Sequence, residues 1–282
     1  MDGKVVLVTG ATSGLGLAAA EGFARLGATL WLAARDPVRG ERTRATLLER
    51  QPDADVTVGI CDLSRLDDVR RFAAQFAEDS PRLDVLVNNA GVLTRDRQLS
   101  ADGIELTLAT NVVGPFLLTE LLLPSLRACA PSRVINVSSG GMYAQKLDVD
   151  DLQSAHGTFE GATAYAKTKR AEVVLTELAA DRLAGTGVTV HAMHPGWVDT
   201  PGLRSSLPRF YRTVRPLLRT PEEGADTIVW LGAATEPAAR PGAFWHDRMS
   251  RPTHLLPGTR ETEAERQRLW DACVALSART TD

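Results

Sequence analysis

Lysine and tyrosine are scarce in this 282-residue chain, which has four lysines against 28 arginines and only three tyrosines. Cysteine is equally rare. Cys61, Cys129 and Cys273 are odd in number and widely spaced, which argues against a disulfide framework or a zinc site and points to a reducing cytosol. A strong basic excess is also missing: the formal net charge of −3 provides no electrostatic footprint for nucleic acid, so no such partner is expected. The longest apolar runs, such as "LLTELLLPSL" at 117–126, carry a charge or a proline and fall short of the about 20 residues of a membrane span. "MDGKVVLVTG" at the amino terminus lacks the features of a secretory leader, so a cytoplasmic location is expected, with peripheral membrane contact left open.

At 44% hydrophobic, the chain is able to bury a substantial core, and one large α/β domain is the default. Short β-branched runs alternate with longer segments of helical periodicity, the signature of repeated βαβ units. Strands are expected near 4–9, 28–34, 55–61, 83–88, 132–138 and 187–194. Helices are expected near 14–27, 38–50, 64–79, 102–129, 160–184, 221–234 and 260–278. The first five strands are nearly continuous apolar runs, as parallel strands covered on both faces should be. Between 197 and 220, three prolines interrupt apolar residues at 203, 207, 210, 214 and 217, which describes a broken amphipathic helix pair.

"VTGATSGLG" ends the first strand and opens the first helix, the context of a glycine-rich dinucleotide loop. Gly10, Gly14 and Gly16 allow a tight turn and close approach to a pyrophosphate held at the helix amino terminus. Their spacing, G-x-x-x-G-x-G, differs from the general G-x-G-x-x-G. At the end of the second strand, "LAARDP" places Ala34 where NAD binders often carry a carboxylate, followed by Arg35. This favours NADP, with NAD kept as the alternative because Asp36 is one residue further on.

"AYAKTKR" at 164–170 sets Tyr165 four residues before Lys169. Random placement of so few tyrosines and lysines would give roughly 0.04 such pairs. In a helix the two lie on one face, whereas Lys167 points away and reads as a surface residue.

Seven stretches in order resemble the short-chain dehydrogenases/reductases: "TGATSGLG" at 9–16, "CDL" at 61–63, "NNAG" at 88–91, Asn111 in "TNVVG", "NVSS" at 136–139, "YAKTK" at 165–169 and "HPGWVDT" at 194–200. "SSGGMYAQKLDVDDLQ", "MHPGWVDTPGLR", "GADTIVWL" and "FWHDR" resemble the retinol-dehydrogenase-like branch. The resemblance implies a single Rossmann-type α/β domain, a doubly wound parallel sheet with helices on both faces. It also implies an NADP(H)-dependent oxidoreductase interconverting a carbonyl, an apolar ketone or aldehyde, with an alcohol. Reduction of an activated C=C bond, or dinucleotide sensing without turnover, are the alternatives.

By the same resemblance, Thr12, Ser13 and Leu15 join the three glycines in holding cofactor. Asp62 and Leu63 flank the adenine, and Asn89, Ala90 and Gly91 pass beside the adenosine ribose. Pro195, Gly196, Val198 and Thr200 hold the nicotinamide end. Tyr165 is the acid or base for the substrate oxygen. Tyrosine is a poor base at neutral pH, and the Lys169 ammonium favours its phenolate while bonding the nicotinamide ribose. Ser139 fixes the substrate oxygen in preference to Ser138, and Asn111 holds a water behind the lysine.

No metal is expected, because His191 and His194 fall on opposite faces of a strand. The 26 positions from Ser139 to Tyr165 mark an insertion, and Met142, Tyr143 and Phe159 are candidates for lining the pocket or for packing the loop. A substrate lid is expected at about 197–220, with Trp197, Leu203, Leu207, Phe210 and Tyr211 apolar and its arginines forming a solvated outer face or, alternatively, contacting anionic groups. A carboxyl-terminal extension covers about 240–282. Family members often pair the long helices, here near 102–129 and 160–184, into dimers or tetramers, so a homo-oligomer stays open.

Overall fold

The computed structural model describes residues 1–206, 208–255 and 257–280; Leu207 and the side chains of Arg209 and Phe210 from the expected lid lie outside the described residues. Its centre is an eight-stranded sheet in the order β3-β2-β1-β4-β5-β6-β7-β8. The strands are β1 Val5–Thr9, β2 Thr29–Ala34, β3 Val56–Ile60, β4 Val85–Asn88, β5 Ser132–Val137, β6 Val188–Met193, β7 Phe244–His246 and β8 Met249–Arg251. Neighbouring strands from β3 through β7 are parallel, and β8 is antiparallel to β7. The expected doubly wound Rossmann-type α/β domain is therefore the fold.

Side chains alternate across the sheet, so Leu7 joins a core with Trp31, Phe72 and Leu118, while Val6 and Val8 join Phe23, Leu30 and Ile228 on the opposite face. Helices α1 Gly14–Arg25, α2 Pro37–Arg50 and α3 Leu66–Asp79 make the first crossovers. The next helical stretch combines α4 Leu106–Leu108, a wider turn at Ala109–Val113 and α5 Gly114–Ala128. Its 23 residues meet the length and composition of a membrane span, but 72% of its apolar window is buried in the domain.

Beyond these come α6 Gly161–Arg182, the short α7 Pro201–Ser206 and α8 Pro208–Val214, then α9 Pro221–Ala233 and α10 Glu263–Ser277. Thr220 with Glu223, and Thr262 with Glu265, form reciprocal capping boxes that start α9 and α10. Both α7 and α8 fall in the stretch where the prolines predicted an interrupted pair, and the junction between them, at Leu207, lies outside the described residues.

Two features went unforeseen. The β7–β8 hairpin turns through Asp247 and Arg248, both at positive φ, and its strands are too short to show periodicity. Ion pairs hold that turn: Asp247 with Arg219, and Arg248 with Asp226. The second is not α10 itself, a helix expected near 260–278, but its packing across α5 and α6. Leu269 and Cys273 are buried, Trp270 meets Phe116 edge to face at 5.0 Å, and the Arg182 guanidinium sits 4.1 Å from the Trp270 ring centre.

Candidate active site

Strand order reverses at β1, whose neighbours are β2 and β4, and ligands of open α/β sheets bind beyond the carboxyl ends of the strands at such a point. A cleft of about 1160 Å³ opens there. Among the residues expected to hold cofactor, Gly10, Thr12, Ser13, Gly14, Leu15, Gly16, Arg35, Asp62, Leu63, Asn89, Ala90, Gly91, Pro195, Gly196, Val198 and Thr200 all line it, as do Ser139, Tyr165 and Lys169.

The glycine loop forms a cradle. Gly10 and Gly14 have φ of +65° and +53°, and a Cβ on Gly16 would run into Asn89 Nδ2 and the Gly10 carbonyl. Ser13 caps α1 without a side-chain hydrogen bond, so the first amides of this 12-residue helix face the cleft uncapped. Such an amino terminus, reached by bare backbone, fits the pyrophosphate of a dinucleotide. Thr9 was not anticipated and ties the cradle to β4: its Oγ1 accepts from the Asn89 and Ala90 amides, each at 3.0 Å.

At the adenosine end, the Asp36 carboxylate accepts from the amides of Val38 and Arg39 at 2.9 and 3.1 Å and so caps α2. Arg39, in the first turn of α2, lines the cleft as Arg35 does, and its place four residues on was the signal that could have found it. Asp62 accepts from the amide and hydroxyl of Ser64 at 3.0 and 2.7 Å.

On the substrate side, Tyr165 is half-buried and the Lys169 Nζ sits 5.5 Å from the centre of its ring. Lys169 is only 3% exposed and donates to the Val137 carbonyl at 2.9 Å and to Glu172 Oε1 at 2.6 Å. Burial acts to lower its pKa, but Glu172 and Tyr165 outweigh this and raise it, keeping the amine protonated. Ser138 is buried and donates to the Lys169 carbonyl at 2.8 Å, while the Ser139 Oγ accepts from Gly141 N at 3.2 Å.

Asn111 does not line the cleft. Its side chain accepts from Val92 N at 2.8 Å and donates to the Val92 carbonyl and Thr168 Oγ1, and it borders a smaller cavity behind Lys169.

The insertion is pinned rather than loose. Met142 is fully buried beside Val173 and Phe244, and the Tyr143 hydroxyl donates to the Pro252 carbonyl at 2.7 Å. Neither these residues nor Phe159 line the cleft; Gly141, Ala144 and Gln145 do. Lys167 is not simply a surface residue: it pairs with Asp148 at 2.9 Å and is 24% exposed. From the expected lid, Trp197, Leu203 and Ser206 line the opening.

His191 lies inside the domain, where its Nδ1 accepts from Trp245 Nε1 at 3.3 Å, and His194 stacks on His246 with ring centres 3.9 Å apart. Burial pushes both histidines down to about 4. Among the described residues, no group of three or more His, Cys, Asp or Glu is placed to hold a metal ion.

The short chain dehydrogenase family model matches residues 4–209. Dehydrogenase/reductase SDR family member 12 of Bos taurus is 41% identical over 283 residues, covering 99% of this chain and 88% of its own length. Retinol dehydrogenase 12 of Homo sapiens is 37% identical, with coverages of 99% and 88%. Among solved structures, a 3-ketoacyl-(acyl-carrier-protein) reductase from Brucella melitensis complexed with NADH superposes with a TM-score of 0.68 at 26% identity, covering 86% of this chain and 96% of that one. A strand-end cradle for a dinucleotide, a tyrosine with a buried ammonium beside it and full-length likeness together make this chain a member of the short-chain dehydrogenase/reductase family, on its retinol-dehydrogenase-like side.

Proposed function

We propose that this protein is an NADP(H)-dependent oxidoreductase that interconverts an apolar ketone or aldehyde with the corresponding alcohol. The observation that carries this reading is the Tyr165–Lys169 pair, with Lys169 buried as an ammonium 5.5 Å from the tyrosine ring at the floor of the cleft. When bound, the nicotinamide supplies or accepts the hydride. Tyr165 gives the developing alkoxide its proton, or takes that of the alcohol, and the adjacent positive charge favours the phenolate. Ser139 holds the substrate oxygen, since Ser138 is occupied by the Lys169 carbonyl. Asn111, behind Lys169, serves as a positioning residue.

The preference for NADP rests on charge. Ala34 offers no carboxylate, Asp36 is engaged in capping α2, and Arg35 and Arg39 line the cleft as cations suited to a 2′-phosphate. An apolar substrate is supported by Val92, Leu93, Ala144, Trp197 and Leu203 around the outer cleft. Since α10 covers α5 and α6, pairing of two copies through those helices is not expected. Three buried free cysteines accord with a reducing cytoplasm.

The test is consumption of NADPH and of NADH by the purified protein across a panel of ketones and aldehydes. Turnover is expected with NADPH at lower KM. Arg35→Ala together with Arg39→Ala should weaken NADPH binding by at least about tenfold and leave NADH binding unchanged. Tighter binding of NADH by the unaltered protein would overturn the cofactor preference.

A further inference from the structure

Glu172 is a buried carboxyl that the proposed chemistry does not use. It lies one turn beyond Lys169 on α6, is 8% exposed, and its Oε1 accepts from the Lys169 ammonium at 2.6 Å. Its other oxygen, Oε2, is buried without a protein hydrogen-bond partner. A carboxylate has about four acceptor positions, so a half-satisfied one in a protein interior is costly.

Glu172 also borders the cavity behind the cleft, of about 50 Å³, between β4, β5, α5 and α6. Asn88, Asn111, Thr119, Glu120 and Asn136 line it with Glu172, and Asn88 Oδ1 is likewise buried without a protein partner. Apolar side chains, among them Phe116, Val134, Leu175, Val190 and Trp270, make up most of the remaining wall, and a space of that size with these polar groups has room for one or two waters, each occupying about 30 Å³.

We propose that Glu172 is the proton-exchange partner of Lys169, passing protons between the ammonium and the polar groups of the cavity behind it. In the reducing direction Lys169 yields a proton toward Tyr165. The resulting amine takes the proton of the Glu172 carboxylic acid, and the carboxylate is reprotonated from the cavity side by a proton that originates in solvent. The terminal torsion of glutamate is broad, so its two oxygens can exchange places. No electrons move in these steps.

Two features of the pair fit the role. Burial raises the Glu172 carboxyl to about 7, only partly opposed by Lys169, so near neutrality it can both hold and release a proton. When protonated, Glu172 also leaves the whole ammonium charge to favour the Tyr165 phenolate. The groups facing it are few. Lys169 comes from α6, and Glu120 from α5, its own carboxyl raised by burial against the pull of Arg127 and Arg182. Among the described residues that line the cavity, strands β4 to β6 present only Asn88, Val134, Asn136 and Val190, the turn at Ala109–Val113 presents Asn111 and Val112, and α10 presents Trp270.

This inference rests on the proposed reaction, and its test separates the two. In cofactor-free protein carrying carbon-13 at glutamate Cδ, one resonance should titrate near pH 7 and be missing from Glu172→Gln. In turnover, Glu172→Gln should lower kcat by about 10- to 100-fold with little change in the KM for NADPH, and should remove the ionisation near neutrality from the pH profile. Glu172→Asp should recover part of the rate. A Glu172 resonance that titrates with ordinary carboxylates, or a Glu172→Gln enzyme with the wild-type rate and pH profile, would overturn the inference. If Glu172→Gln fails to fold, the labelled wild type and Glu172→Asp still decide. If the wild type reduces no carbonyl, the proposed reaction fails, while the titration continues to support or refute the proton held at Glu172.

Discussion

Lys169 and Arg170 are consecutive residues of α6, both cations and both buried, yet they face different regions and are satisfied differently. Arg170, 1% exposed, faces the carboxyl-terminal segment. Its guanidinium grips Glu261 through Nε at 2.5 Å and Nη2 at 2.8 Å, donates to the Thr253 carbonyl and meets His254. Lys169 faces the cleft, where among the described residues only the Val137 carbonyl and Glu172 engage its three protons. A planar fork saturated on every side acts as a latch. A compact ammonium with a donor to spare remains able to serve chemistry.

The widest separation between the two should appear in turnover. Lys169→Ala is expected to reduce kcat/KM by about a thousandfold, roughly 4 kcal/mol of transition-state stabilisation, as measured by NADPH consumption. Arg170→Met should do the reverse. Glu261, whose side chain is 2% exposed, would lose its partner, so urea denaturation should show a loss of about 3–5 kcal/mol, with turnover per folded molecule little changed. Adding Glu261→Leu should restore much of that stability.

His191 and His194 extend the comparison to buried bases that stay neutral. Both are depressed to about 4 in the folded chain against about 6.5 unfolded. Their contribution to stability is complete above pH 6.5 and is lost as pH falls through 6.5 toward 4, because the unfolded chain binds the extra protons. For fully buried His191 this amounts to at most about 3 kcal/mol, and thermal melts of His191→Gln should show a flatter decline over that window. The smallest effect belongs to Lys167→Ala. Its partly exposed pair with Asp148 should change stability by less than about 1 kcal/mol, and turnover should remain at the wild-type level.

These contrasts also explain what the sequence could reveal. The strands from 5 to 193 and the glycine cradle were legible because parallel strands need continuous apolar runs and a close-approaching backbone needs glycine. Tyr165 and Lys169 stood out first through scarcity, and then through their helical spacing and the motif they share with the family. Strands β7 and β8 were hidden, since three residues carry no period and the hairpin turn depends on ion pairs from Arg219 and Asp226, distant in sequence. Arg170 was read past for the same reason: Glu261 lies 91 positions away. The pocket roles offered for Met142 and Tyr143 gave way to packing, because the carboxyl-terminal segment covers the insertion. Glu172 was also read past, although its place three residues after Lys169 on a helix was a signal that could have marked it.

The most direct test replaces the proposed acid. Tyr165→Phe removes one hydroxyl, so NADPH binding should persist, as followed by quenching of protein fluorescence, while NADPH consumption with any ketone or aldehyde turned over by the wild type falls by about a thousandfold or more. Carbonyl reduction by Tyr165→Phe at the wild-type rate would contradict the account.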